Sequence, residues 1–400
     1  MKKKVSPGFV LFMMLMSMVA GAVCLNKVAP IIPSLTLSMG LTATWQAGLL
    51  VSIFVFSGIF LALPSGMVIA RFGYYRTGAF ALAVLLVGSA IGALNLGYGV
   101  MLISRIIEGL GLILLMTVGP AATASVFDGP RRGAAMGVLM CFMPIGQVVM
   151  FNLAPRIANW ELIWWGTAAY AGLFLIIWLF SLRNLDASLT AHEHGADAEG
   201  VPAEGARGKK SLLPREVLGN GGVWLMGLSL LFYLITSQAV MAFLPTFLSE
   251  VRGMDPAVAG STVSIAPLVG LPLGVITGII SDKVGSRKWP LGILLVASAV
   301  VYALIPGFPT ALFLVLVIFF GVVAMGVVGL CFSAAAELVE TRHGGVVVGM
   351  LNVFQWVGIF LSGSLGGLFV EWLGWSATFY LLAPLSVLGA LCAWVTPRLR

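Results

Sequence analysis

Three ionisable side chains stand where a charge is costly. Lys27, Arg105 and Glu108 each lie inside a long apolar run. Charges at membrane depth usually face a cavity or a partner. A lysine and an arginine in such a place could hold an anion, and a carboxylate could carry a proton. Arg105 and Glu108 are three residues apart, so they share a helix face and could pair. Pairing would concentrate the net charge of +1 on Lys27. The expectation is a cavity biased toward a small anion, with Lys27 and Arg105 as binding residues and Glu108, with Arg105, as the proton-coupling candidate. Two plainer readings stand beside it. Lys27 could extend to the membrane interface, and Arg105 with Glu108 could be a structural pair. Asn26, Gln147, Tyr233, Gln238, Asn352, Gln355 and Trp356 are polar or amphipathic candidates for the same cavity. A lone amide can equally bond a neighbouring helix.

The elements that must position these residues are set by composition. Sixty per cent of the chain is hydrophobic, 9% is charged and the mean hydropathy is +1.06. A soluble domain is nearer about 25% charged, so this chain belongs in lipid. A crossing helix needs about 20 apolar residues. The pattern predicts an all-α membrane protein of twelve spans: 9–36, 44–69, 77–95, 98–126, 133–155, 162–182, 222–248, 257–280, 289–306, 309–338, 345–369 and 376–395. Glycines and prolines punctuate them at Gly73, Asp128-Gly129-Pro130, Gly285, Pro306-Gly307 and Gly374. Arg105 then lies roughly 10 Å into span 4 by helical rise.

The basic residues set an orientation. With the N-terminus inside, predicted cytoplasmic segments hold 18 of the 22 Lys and Arg, and outside loops hold only Arg156 and Arg252. That bias predicts cytoplasmic termini and accounts for the net charge of +7 without nucleic acid. Lys2-Lys3-Lys4 before an apolar run has the shape of a signal peptide, and the residues before Cys24 approach a lipoprotein box. Val23 sits where that box needs a small residue, so span 1 is expected to be retained. Residues 183–221 form the one hydrophilic stretch and read as a flexible linker. Its His192-Glu193-His194 triplet is a solvated segment before it is a metal site. Cys24, Cys141, Cys331 and Cys392 lack metal-ligand spacing and read as small hydrophobes. No cofactor or metal is expected.

The chain repeats itself. Gly66-Met-Val-Ile-Ala70-Arg71-Phe-Gly73-Tyr-Tyr-Arg76 recurs as Gly278-Ile-Ile-Ser-Asp282-Lys283-Val-Gly285-Ser-Arg287-Lys288, 212 residues later. The same offset aligns Pro33 with Pro245, Gly48 with Gly260, Gly146 with Gly358 and Trp160 with Trp372. Two parallel copies of one membrane unit suit a secondary transporter. The predicted halves are 1–182 and 222–400, joined by 183–221. Lys27, Arg105 and Glu108 align with Ala239, Val317 and Phe320, so the scaffold tolerates apolar residues at those places.

The doubled loop, Gly-x-x-x-Asp-basic-x-Gly-x-basic-basic, resembles the signature of the major facilitator superfamily. The second copy matches fully; in the first, Ala70 replaces the acid and Tyr75 a basic residue. Arg105-Ile-Ile-Glu108-Gly-Leu-Gly111 resembles the family's fourth-helix motif, with an acid where a neutral amide is usual. Asn26-Lys27-Val-Ala-Pro30-Ile-Ile-Pro33 resembles the cyanate permease and nitroimidazole transporter branch. The resemblance implies two six-helix pseudo-repeats in a bacterial inner membrane. It also implies a gating role for Gly66, Arg71, Gly73, Arg76, Gly278, Asp282, Lys283, Gly285, Arg287 and Lys288, with the latch weakened at Ala70.

The leading reading is a monomeric secondary transporter that moves a small, anionic solute by alternating access with proton symport. A proton-driven exporter of amphipathic drugs is the alternative. An enzyme is disfavoured, because the three histidines lie in predicted loops and no nucleophile–base set or phosphate-binding loop is present. A membrane sensor would want a longer output domain than the linker allows. Partners are a small-molecule substrate, protons and lipid, with no nucleic acid.

Overall fold

A computed structural model describes residues 6–61, 64–183, 185, 215–339 and 344–396. The middle of the linker, with its His-Glu-His triplet, lies outside the described residues. Among the described residues, nine helices are long and apolar enough to cross a membrane. One of these, the 50-residue run Val346–Val395, bends at Gly374 (φ 80°, ψ 172°) and so holds two crossings. The shorter apolar helices Pro256–Gly270 and Lys288–Leu304 complete twelve. Gly73 makes the equivalent bend between spans 2 and 3, with φ 79°. Such positive φ values suit glycine.

Span 1 is not one continuous helix. Its first segment is Pro7–Asn26, followed by a 3-10 turn at Ala29–Ile31 and a second helix at Ile32–Ser38. Lys27 and Val28 lie in the break. Pro30 supplies the cause: a proline ring clashes with the carbonyl four residues back, here that of Asn26. Adding 212 places Ala242 at the position of Pro30. Span 7 accordingly runs unbroken from Gly221 to Glu250, with only Pro245 inside it.

The contacts resolve into two compact units. The first holds Met1–Leu25, Phe60–Gly146 and Glu161–Ser211. Glycines bring its helices together. A side chain at Gly21 would meet Leu112, and one at Gly146 would strike Ala22. One at Gly88 would come within 2.8 Å of Glu108 Cγ and 2.9 Å of Glu108 N. Spans 1, 3 and 4 therefore run at backbone distance, the use of small residues expected in lipid.

The second unit holds Asn26–Ile59, Gln147–Trp160 and Leu212–Arg400. It contains two apolar clusters. One gathers Val240, Val301, Tyr302, Val317, Phe320 and Phe379; the other gathers Met226, Tyr233, Leu291, Leu330 and Leu351. Two backbone crossings inside this unit obey the repeat. In the first, a side chain at Gly48 would strike the Gly363 carbonyl, and Ser52 Oγ lies 3.3 Å from Ser364 Oγ. In the second, a side chain at Gly260 would strike the Phe151 carbonyl, and Asn152 Nδ2 donates to Ser264 Oγ at 2.9 Å. Adding 212 to Gly48, Phe151, Ser52 and Asn152 gives Gly260, Gly363, Ser264 and Ser364. One crossing is thus the repeat image of the other.

Candidate functional site

The first segment of span 1 ends at Asn26, and the last carbonyls of a helix are commonly met by donors from outside it. Arg105 supplies donors to them. Its Nη1 donates to Cys24 O at 2.5 Å and its Nη2 to Leu25 O at 3.1 Å. The same Nη1 pairs with Glu108 Oε2 at 2.6 Å, and neither side chain has exposed surface. The expected i, i+3 pair is therefore formed. Glu108 Oε1 in turn accepts from Ser89 Oγ at 2.5 Å. Thr167 Oγ1 donates to Ser89 Oγ at 3.2 Å, and Cys24 Sγ lies 3.4 Å from that hydroxyl. Spans 1, 3, 4 and 6 each contribute to one buried polar network.

Gly21 and Gly88 make this geometry possible, because span 4 can approach spans 1 and 3 closely enough for a guanidinium to reach backbone. Their repeat partners are Tyr233 and Val300. The span 1–span 4 contact of Gly21 on Leu112 becomes, in the second half, Tyr233 donating through its hydroxyl to Ala324 O at 2.6 Å. Leu112 plus 212 is Ala324, so a small–large pair has become a large–small one. The network itself vanishes on the same mapping. Ser89, Arg105, Glu108 and Thr167 become Val301, Val317, Phe320 and Phe379, all members of one apolar cluster. An unbroken span 7 leaves no helix end there, so Val317 suffices where span 1 uses Arg105.

Lys27 is fully buried and does not reach the protein's surface. Asn26, Gln147, Gln238, Asn352 and Gln355 are half-buried, and Trp356 is buried. Asn352, Gln355 and Trp356 share one face of span 11 by their three- and four-residue spacing. Lys27 and these residues fall in the second compact unit, as does Tyr233; Arg105 and Glu108 fall in the first. Tyr233 spends its hydroxyl on backbone, as already described. Ser89 and Thr167 were not among the sequence candidates, yet the repeat could have found them. Both mismatch an apolar partner as fully as Arg105 does. The carbonyls of Cys24 and Leu25 carry no side-chain signal at all.

A profile of the Major Facilitator Superfamily matches residues 7–363. The chain belongs to that superfamily. The glycerol-3-phosphate transporter of Bacillus subtilis (strain 168) is 26% identical over 179 residues, which cover 43% of this chain and 40% of that protein. The probable 4-methylmuconolactone transporter of Cupriavidus pinatubonensis is 26% identical over 323 residues, 78% of this chain and 72% of that one. The chain spans only about two fifths of the length of the first curated relatives it matches. The inward-open xylose transporter XylE of E. coli superposes with a TM-score of 0.75. It covers 98% of this chain and 97% of its own at 15% identity, a likeness of fold alone. The twelve-helix, two-repeat architecture is thus that of the superfamily, whose members named here are transporters and not enzymes.

The superfamily's signature loops are unequal in this chain. In the second, Asp282 Oδ1 pairs with Arg287 Nη2 at 2.6 Å, and Arg287 Nε donates to Glu337 Oε1 at 3.0 Å. The hydrogen bond that Arg287 donates to Glu337, more than the charge of Asp282, pushes the Arg287 pKa above its ordinary value. Gly285 ends span 8 in the left-handed region, with φ 67°. In the first loop Ala70 removes the acid, and Arg71 lies over the ring of Phe72 at 5.5 Å. Glu337 was not anticipated, because it lies 50 residues from Arg287. Asp282 and Glu337 are 63% and 40% exposed, so solvent screens both pairs. Arg287→Ala should therefore cost less than about 1 kcal/mol of stability, measured by thermal unfolding. A loss of several kcal/mol would mean the loop is a structural core after all.

Proposed function

We propose that this chain is a secondary transporter that carries a small anion across the membrane by alternating access, with Lys27 as the anion's anchor. The observation that carries the transport reading is superfamily membership over residues 7–363. The anion reading is supported by a fully buried lysine at the break of span 1. Ala239 stands at the repeat-equivalent place, so the charge is extra to the scaffold. Unwound segments of discontinuous helices are a common place for transported solutes. A relative named as a glycerol-3-phosphate transporter is compatible with an anionic cargo.

The bodies that rock are residues 1–182 and 222–400, joined by 183–221. The excess of Lys and Arg in the loops favours cytoplasmic termini, which makes Asn26–Ile59 and Gln147–Trp160 the outer ends of spans 1, 2 and 5. Their packing on residues from 212 onward suits a state whose outer side is shut. Proton symport fits the cargo, since it offsets the anion's charge and draws on the inward gradient. Glu108 is the acid singled out by sequence. Its two oxygens receive Ser89 and Arg105, which suits an anchor better than a carrier.

Purified protein should be stabilised against heat by one or more of glycerol 3-phosphate, nitrate, cyanate and small carboxylates. Lys27→Ala should weaken that effect about tenfold to a hundredfold, the scale of a hydrogen bond to a charged group. Expression should stay normal. Stabilisation by lipophilic cations alone, unchanged by Lys27→Ala, would replace the anion reading with that of a drug exporter.

A further inference from the structure

We infer that Arg105 is a positioning residue: with Glu108 it forms a clamp that holds span 1 in its broken form and so fixes where Lys27 stands. The inference rests on the reading of Lys27 as the anchor, but its own evidence is separate. Arg105 donates to two successive carbonyls, Cys24 O and Leu25 O, at the end of the first helical segment. Lys27 follows two residues later. A guanidinium presents five donors in a rigid fork, so one side chain can serve two carbonyls and a carboxylate together.

Glu108 and Ser89 hold the fork from behind. Glu108 Oε2 takes Arg105 Nη1 at 2.6 Å, and Ser89 donates to Glu108 Oε1 at 2.5 Å. Thr167 continues the chain of contacts into span 6 at 3.2 Å from Ser89. The second half serves as an internal control. There the helix is continuous, and the residues equivalent to Ser89, Arg105, Glu108 and Thr167 are Val301, Val317, Phe320 and Phe379. Break and clamp are present together in one half and absent together in the other. A pair that only filled the core would have no reason to track the break. The clamp assigns Glu108 a fixed role as the counter-charge that orients Arg105, and proton coupling then resides elsewhere.

Hydrogen–deuterium exchange on the full-length protein tests this without any ligand. The decisive variant is Arg105→Met with Glu108→Leu, which removes both charges at once and leaves neither ion buried alone. It should lose less thermal stability than Arg105→Ala, because only the donors to two carbonyls are lost and no ion is left unpaired. Exchange of the amides in residues 24–31 should quicken at least tenfold, with the rest of spans 1 and 4 unchanged. Arg105→Lys supplies the second reading. It keeps the ion pair with Glu108 but loses the two-carbonyl fork, so it too should lose less stability than Arg105→Ala while fast exchange at 24–31 persists. Unchanged exchange at 24–31 in the double variant would overturn the clamp. So would full restoration of protection by lysine, because any cation would then serve. Lys27→Ala in the anion assay reports separately. If it has no effect while exchange at 24–31 behaves as stated, the anchor reading fails and the clamp stands.

Discussion

Leucine in place of Gly48 should slow transport sharply while leaving the protein folded. A side chain there would run into the Gly363 carbonyl, and one at Gly363 would run into the Gly48 carbonyl. Both clashes exist only while spans 2 and 11 touch. Overpacking of this kind costs about 1–3 kcal/mol. A cost confined to one of two states lowers its population about tenfold per 1.4 kcal/mol. The alternating cycle proposed above has to visit the touching state, so turnover in proteoliposomes should fall by roughly tenfold to a hundredfold. Ser52, which meets Ser364 at this crossing, offers a second readout. In a Ser52→Cys background, Gly48→Leu should raise the rate of maleimide labelling. Gly260→Leu should behave alike, since its side chain would strike the Phe151 carbonyl at the repeat-related crossing. Wild-type turnover in either variant would mean that the crossings never tighten in the working cycle.

Removing one partner of the buried pair should be among the most destabilising single changes in the chain. Arg105→Ala leaves Glu108 charged and buried; Glu108→Ala does the same to Arg105. Breaking such a pair from one side costs on the order of 3–5 kcal/mol. Arg105→Ala also strips donors from two helix-end carbonyls, so it should be the worse of the two. Thermal unfolding in detergent measures both. Thr167→Val, at the far end of the network, loses a neutral hydroxyl that meets Ser89 Oγ and the Trp164 carbonyl, and should cost only about 1 kcal/mol. Equal effects at Thr167 and Arg105 would show that packing, not charge, governs this region.

The twelve spans were legible because lipid imposes a length and a composition on each. The repeat was legible because glycines at helix crossings, such as Gly48 and Gly260, tolerate almost no substitution. The Arg105–Glu108 pair followed from spacing alone. The break in span 1 did not, although its cause is visible as Pro30: two prolines within a long apolar run signal a bend without saying which peptide gives way. What Arg105 does beyond Glu108 was hidden, because its other partners are backbone carbonyls. Ser89 and Thr167 were overlooked because hydroxyls are common in apolar helices, and only their repeat partners Val301 and Phe379 mark them out. The Arg287–Glu337 contact joins residues that no local rule connects.

The composition of the second compact unit has a consequence for how the chain is made. Residues 26–59 and 147–160 find their packing partners beyond residue 212. At about 5–20 residues per second, the earlier of those segments leaves the ribosome on the order of ten seconds before its partners exist. During that interval Gly48 has no Gly363 to rest on, and the helix end beyond Lys27 lacks its neighbours. The first half is therefore born unfinished. Residues 26–59 and 147–160 depend on lipid or an insertion factor until the second half arrives.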